Sequence, residues 1–173
     1  GKIFDEKLKL QALNSVCSLL EKFLPERQNY SQIFNATNAF IDLLTFQDES
    51  KNDYWMEGYV KWEIGVLSSI GFSLDLNRCA VTGSDTNLLF VSPKTGKAVS
   101  KEGAGRHAPR LLLLPSFLGG DNVIGSNFYK EILAGLNITS YFFKNKLLLS
   151  INTNKPINLP NPRIRFVELI EKL

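Results

Sequence analysis

The sequence predicts a mainly α-helical fold carrying a small β-hairpin insertion, on three observations. Apolar residues recur at three- and four-residue steps through most of residues 5–70 and again near the end of the chain, which is the period of amphipathic helices. Residues 79–100 (CAVTGSDTNLLFVSPKTGKAVS) instead show short apolar and β-branched runs between two turn signals. Apolar content of 44% and charged content of 21% belong to a chain that builds a core, not to a disordered one.

Taken in order, residues 5–24 place Leu10, Leu13, Cys17, Leu20 and Leu24 on one helical face, and Pro25 ends the run. Residues 31–46 repeat the pattern with Ile33, Thr37, Phe40 and Leu44, flanked by Phe34 and Ile41, and Ser31 is placed to cap the first turn. A third helix, 53–70, carries two stripes: Trp55, Tyr59, Trp62, Val66 and Ile70, then Met56, Val60, Ile64 and Leu67. A helix apolar on most sides is central and buried, and Gly71 sits where a left-handed cap belongs. The hairpin turns fall at 82–85 (TGSD) and 92–96 (SPKTG), and a Gly- and Pro-punctuated connector follows around the leucines 111–114. Helical pattern returns at 126–135 and 138–150. The last helix has Asn161 as cap, Pro162 in its first turn, and Ile164, Val167 and Ile170 inward.

With 173 residues the chain suits one domain, with a helical core at 3–76 and 121–173 and the insertion and connector at 77–120. No apolar run exceeds four residues, which is too short for a membrane span, and the first turns are charged, unlike a secretory leader. A cytoplasmic location follows as the expectation, and with it two free thiols, Cys17 being read as a small core residue. The chain opens on Gly1 and its single methionine is Met56, so a processed or truncated product is expected. Net charge is only +3, but residues 1–60 carry −3 and residues 61–173 carry +6. Phosphates respond to local fields, so the second part is where nucleic acid would bind.

The ordered segments 59–67 (YVKWEIGVL), 70–72 (IGF), 74–76 (LDL), 79–83 (CAVTG), 90–100 (FVSPKTGKAVS) and 110–118 (RLLLLPSFL) resemble the C-terminal helical part of the RecO family. The closing helix with its Pro-Arg-x-Arg-Phe sequence is consistent in position. The similarity covers essentially the whole chain; no single segment has the specificity of a catalytic signature, but their order does. It implies recombination mediation: binding single- and double-stranded DNA, joining RecR, and engaging the acidic, Phe-terminated tail of the single-stranded-DNA-binding protein. It also implies an oligonucleotide-binding barrel ahead of the helical part, whose strands residues 1–173 are not expected to contain. Many members hold a four-cysteine zinc site in the hairpin. This sequence departs from that, since Thr82 stands where the second cysteine of a Cys-x-x-Cys pair would follow Cys79, and residues 92–105 contain no cysteine. A degenerate, metal-free finger held by packing and turn hydrogen bonds is therefore expected.

The candidate DNA contacts are Lys94, Lys97, Lys101, Arg106 and Arg110, opposed within their run only by Glu102, with Gly96, Gly103 and Gly105 permitting close backbone approach. A second basic set, Lys144, Lys146, Lys155, Arg163 and Arg165, lies near Tyr141, Phe142, Phe143 and Phe166. Cations among aromatics can hold single strands, although these aromatics read more naturally as core. The resemblance makes Lys61 and Trp62 the candidates for the partner tail, Lys61 supplying the cation. No catalytic set is present: His107 has no local partner, Ser116 lacks the Gly-x-Ser-x-Gly elbow, and no phosphate-binding glycine loop occurs. The reading is thus a binding module with no enzyme activity and no cofactor. The alternative is a protein-docking domain that makes no DNA contact.

Overall fold

A computed structural model describes residues 1–24, 26, 28–46, 53–121, 127–145 and 157–173. Over these residues it is mainly helical with one small sheet. The order is α1 (Lys2–Phe23), α2 (Ser31–Thr45), α3 (Trp55–Ser69), β1 (Leu88–Val91), β2 (Ala98–Ser100), the single-turn α4 (Lys101–Ala104), a 3-10 stretch at Gly105–Arg110, β3 (Leu112–Leu113), a 3-10 turn at Ser116–Leu118, α5 (Phe128–Asn145) and α6 (Asn161–Ile170).

The central helix is α3, packed against α2 on one side and α5 on another. Both of its predicted stripes turn inward: Trp55, Met56, Tyr59, Val60, Trp62, Val66 and Leu67 are all buried, with Glu63 among them. Its end is a Schellman motif. Gly71 takes φ +96°, its N–H reaches the Ser68 carbonyl at 3.1 Å, and the Phe72 N–H reaches the Leu67 carbonyl at 2.9 Å. The second helix also buries the side the sequence indicates, through Ile33, Phe40 and Leu44. Its start differs. Ser31 is the first helical residue, Tyr30 holds the cap position, and the Asn29 side-chain oxygen accepts the Ser31 N–H at 3.1 Å.

For α1 the expected face is only partly right: Leu13, Leu20 and Leu24 are half-buried against the core but border its centre. Leu8, Ala12, Val16, Leu19 and Phe23 point inward with Ser15, whereas Leu10 is 59% exposed and Cys17 is exposed as well. The leucine stripe loses to a stripe containing Ala12 and Ser15, because small side chains let α1 lie close along α6. Ser15 also hydrogen-bonds the Tyr59 hydroxyl at 2.5 Å, and Gln11 donates to the Pro162 carbonyl at 2.9 Å. Cys17 is thus a surface thiol.

The two helices expected at 126–135 and 138–150 are one continuous α5 from Phe128 to Asn145, and residues 126 and 146–150 lie outside the described residues. Gly135, inside this helix, serves close packing: a Cβ there would lie 2.8 Å from Phe117 Cζ and 2.9 Å from Val60 Cγ1. In α6, Pro160 occupies the cap position and Asn161 the first turn, and the inward residues are Arg163, Phe166 and Ile170. Ile164, expected inside, is 40% exposed.

The insertion is a three-stranded antiparallel sheet in the order β2-β1-β3, with Val91 paired to Ala98 and to Leu112. The sequence shows the β1–β2 hairpin. It presents the leucines 111–114 as connector, but Leu112 and Leu113 supply the third strand, two residues being too short a run for alternation to show. The Asp75 backbone both donates to the Gly96 carbonyl (3.1 Å) and accepts from the Ala98 N–H (2.8 Å), fastening the sheet to the segment leaving α3. Buried Leu88, Val91, Ala98 and Leu114 join the same core as the helices.

Candidate nucleic-acid and peptide interfaces

Between α2 and α3 lies a small apolar slot of about 290 Å³. Buried Phe40 and Trp62 form its base, and Trp62 is fixed there by donating its indole N–H to Thr37 Oγ1 at 2.9 Å. The Thr37 hydroxyl in turn donates to the Ile33 carbonyl at 2.7 Å. Ala36, Ala39 and Gly58 keep the walls thin, Leu43 forms one lip, and the exposed Lys61 stands on the lining as its single charged residue. Pockets for drug-sized ligands run to roughly 300–1,000 Å³, so this one suits a single anchoring side chain. Glu57, one helical turn before Lys61, is half-buried. Burial pushes its carboxyl up, against the pull of Lys61 and with the push of Glu131.

The five hairpin cations are all exposed. Lys94 sits in the turn before β2, Lys97 immediately precedes that strand, Lys101 opens α4, and Arg106 and Arg110 lie on the 3-10 stretch. The backbone beneath them is well held. The Ser100 hydroxyl accepts the Gly103 N–H at 3.0 Å and so caps α4, and the Lys101 N–H reaches the Asn87 carbonyl at 2.9 Å. Arg78 escapes a reading of the sequence because it precedes the run. It too is exposed, and the Ala80 N–H to Ala98 carbonyl bond lays its segment beside β2.

Cys79 is buried beneath this lobe. Its sulfur accepts the Val81 and Thr82 N–H groups, each at 3.4 Å, and the Ser100 hydroxyl at 3.3 Å. Burial pushes the thiol up, yet donation from Ser100 and then Thr82 outweighs it and brings the thiol down to about 6. Gly103 closes the knot, since a Cβ there would lie 2.7 Å from the sulfur. The spacing Cys79-x-x-Thr82 is thus matched by Ser100-x-x-Gly103, and the loop is held by hydrogen bonds. Among the described residues no three His, Cys, Asp or Glu side chains gather where a metal ion could be held.

Of the second basic set the described members are Lys144, Arg163 and Arg165, and Arg163 is not open to a ligand. Arg163 is 2% exposed, and its Nε and Nη2 donate to the two carboxylate oxygens of the fully buried Glu63 at 2.9 and 3.1 Å. Nη2 also donates to the Leu136 carbonyl and to Thr139 Oγ1, at 3.2 and 3.3 Å. This is a structural ion pair, closed off from phosphate. Burial alone would lower the guanidinium, but Glu63 and Tyr59 together outweigh it and raise it. Phe142, Phe143 and Phe166 are buried core, and Tyr141 is half-buried. Lys144 and Arg165 are exposed, while Lys146 and Lys155 lie outside the described residues.

The described residues thus present an apolar slot between α2 and α3 and an exposed basic lobe on the hairpin. Residues 8–155 match the family model for the C-terminal region of recombination protein O. The chain is 38% identical to the DNA repair protein RecO of a Ruegeria species over 172 residues, 99% of this chain and 67% of that one. It is 39% identical to the DNA repair protein RecO of Cereibacter sphaeroides over 98% of this chain and 66% of the relative. The Wolbachia protein of the same name is 38% identical over 88% of this chain and 63% of its own length. The chain belongs to the RecO family, and it spans about two thirds of the length of these relatives. No solved structure matches it. Among the described residues no helix is long and apolar enough to cross a membrane.

Proposed function

We propose that this chain is the partner- and DNA-binding part of a recombination mediator acting in DNA repair, with no covalent chemistry of its own. The observation that carries the reading is the slot between α2 and α3, where an apolar recess sits beside a single cation, Lys61. That combination suits a peptide ending in an aromatic residue among carboxylates, with the ring as anchor and Lys61 facing the charge. In this family such a tail belongs to the single-stranded-DNA-binding protein. Trp62 shapes the base of the slot, and Lys61 is the residue that meets the peptide's charge. The hairpin cations Lys94, Lys97, Lys101, Arg106 and Arg110 then contact phosphates of single- and double-stranded DNA, and RecR is the further protein partner.

Titration of an acidic, Phe-terminated peptide into wild type and Lys61→Glu tests the reading. Saturable binding by wild type and at least tenfold weaker binding by the variant is the expected result. Equal affinity for both would remove Lys61 from the site. The alternative, a docking domain without DNA contact, is separated by salt: phosphate binding weakens steeply as ionic strength rises, and an anchored peptide responds far less.

A further inference from the structure

We infer that Gly58 and Leu43 together form a size filter for the slot: Gly58 leaves the space that Leu43 lines, and the pair decides whether a large anchoring side chain is admitted. The inference rests on the peptide-slot reading above and extends it to selectivity.

The first observation is that Gly58 lies in the interior of α3, where glycine weakens a helix relative to alanine. Its backbone does not require glycine, since it is not among the residues of positive φ. A Cβ at 58 would meet Leu43 Cδ2 at 2.6 Å, with Phe40 Cδ2 next at 3.9 Å. The obstructing atom is therefore the tip of a flexible, 41%-exposed side chain and not a wall of the core. Alanine could be accommodated by moving Leu43, so core packing gives little reason for glycine here.

The second observation is that both residues line the slot. A methyl group at 58 enters the slot directly and displaces Leu43, which is already its lip. Elsewhere on the same helix, Gly65 provides the contrast. A Cβ there would meet only Ile33 Cδ1 at 3.9 Å, an ordinary contact, and Gly65 does not line the slot.

Four variants and one peptide test this. Gly58→Ala and Gly65→Ala should both melt at or above the wild-type temperature, because each replaces a helical glycine. Only Gly58→Ala should weaken an acidic, Phe-terminated peptide, by at least tenfold, with Gly65→Ala at wild-type affinity. Leu43→Phe should weaken the peptide by narrowing the slot from the other side, and the Gly58→Ala/Leu43→Ala double variant should regain most of the loss. Wild-type affinity in both Gly58→Ala and Leu43→Phe would overturn the filter and leave the slot reading intact. Absence of binding by wild type itself would instead bring down the slot reading, and the filter with it.

Discussion

Two single residues, Cys79 and Arg163, each tie together segments distant in the sequence. Cys79 is the acceptor around which the hairpin base is tied, and its thiol is brought from near 9 to about 6 in the folded chain. A group more acidic when folded contributes stability in full above its unfolded value and loses it as pH falls through the folded one. The melting-temperature gap between wild type and Cys79→Ala is therefore expected to be wide at pH 9 and to narrow towards pH 6. A constant gap across that range would mean the sulfur contributes packing alone. Arg163 is the second case. Removing it in Arg163→Ala leaves Glu63 buried without a counter-charge, and a broken buried pair costs about 3–5 kcal/mol, measurable by urea unfolding. Neither role is legible in the sequence. There Cys79 is only half of a missing metal pair, and Arg163 is one member of a basic set, because its partner lies 100 residues earlier. Lys61 stands out in the sequence as the single cation of α3, and the structure places it exposed on the lining of the slot.

At the scale of elements, periodicity locates the helices better than it orients them. The inward sides of α2 and α3 follow from their large apolar residues, which outnumber any competing stripe. In α1 two stripes compete, and the one that packs uses Ala12 and Ser15, which a count of hydrophobic residues passes over. The two assignments predict opposite phenotypes. Leu8→Ala should cost about 2–5 kcal/mol as a core truncation, whereas Leu10→Ala should stay within about 0.5 kcal/mol of wild type as a surface change. Chemical denaturation of the two variants decides between the faces. The apparent division of α5 has a similar origin. The expectation leaves a gap at 136–137, whereas the helix runs on there and Phe117 and Val60 fill the space above Gly135. The two residues of β3 carry too little pattern to be found at all.

Over the whole molecule, the charge asymmetry visible in the sequence resolves into an exposed basic hairpin lobe, while part of the positive charge of the final third is spent on a core ion pair. Phosphate binding should therefore follow the lobe. Reversing Lys97, Lys101 and Arg106 to Glu is expected to lower affinity for all DNA sequences alike, because phosphate contacts carry no base information. It should also flatten the salt dependence by about 0.7–0.9 in the log–log slope for each phosphate no longer neutralised. Peptide binding at the α2–α3 slot should be unaffected. Unchanged anisotropy titrations with both single- and double-stranded oligonucleotides would favour the pure docking alternative. The sequence names these cations but not their setting: Arg78 joins the lobe only through the backbone pairing of Ala80 with Ala98.

The ion pair between Glu63 and Arg163 also has a consequence for the order of events during synthesis. A ribosome delivers Glu63 a hundred residues before its counter-ion, so α3 emerges with a carboxylate that has no place in an apolar interior. Until α6 arrives, that helix must keep Glu63 in water or remain loosely packed, and chains fold broadly in the order they are made. The last helix then acts as a latch: its arginine neutralises the charge, ties Leu136 and Thr139 of α5 to α3, and closes α1 along the outside. A nascent chain stalled before Arg163 is expected to stay protease-sensitive through α3, and to become resistant only once the final turns are released.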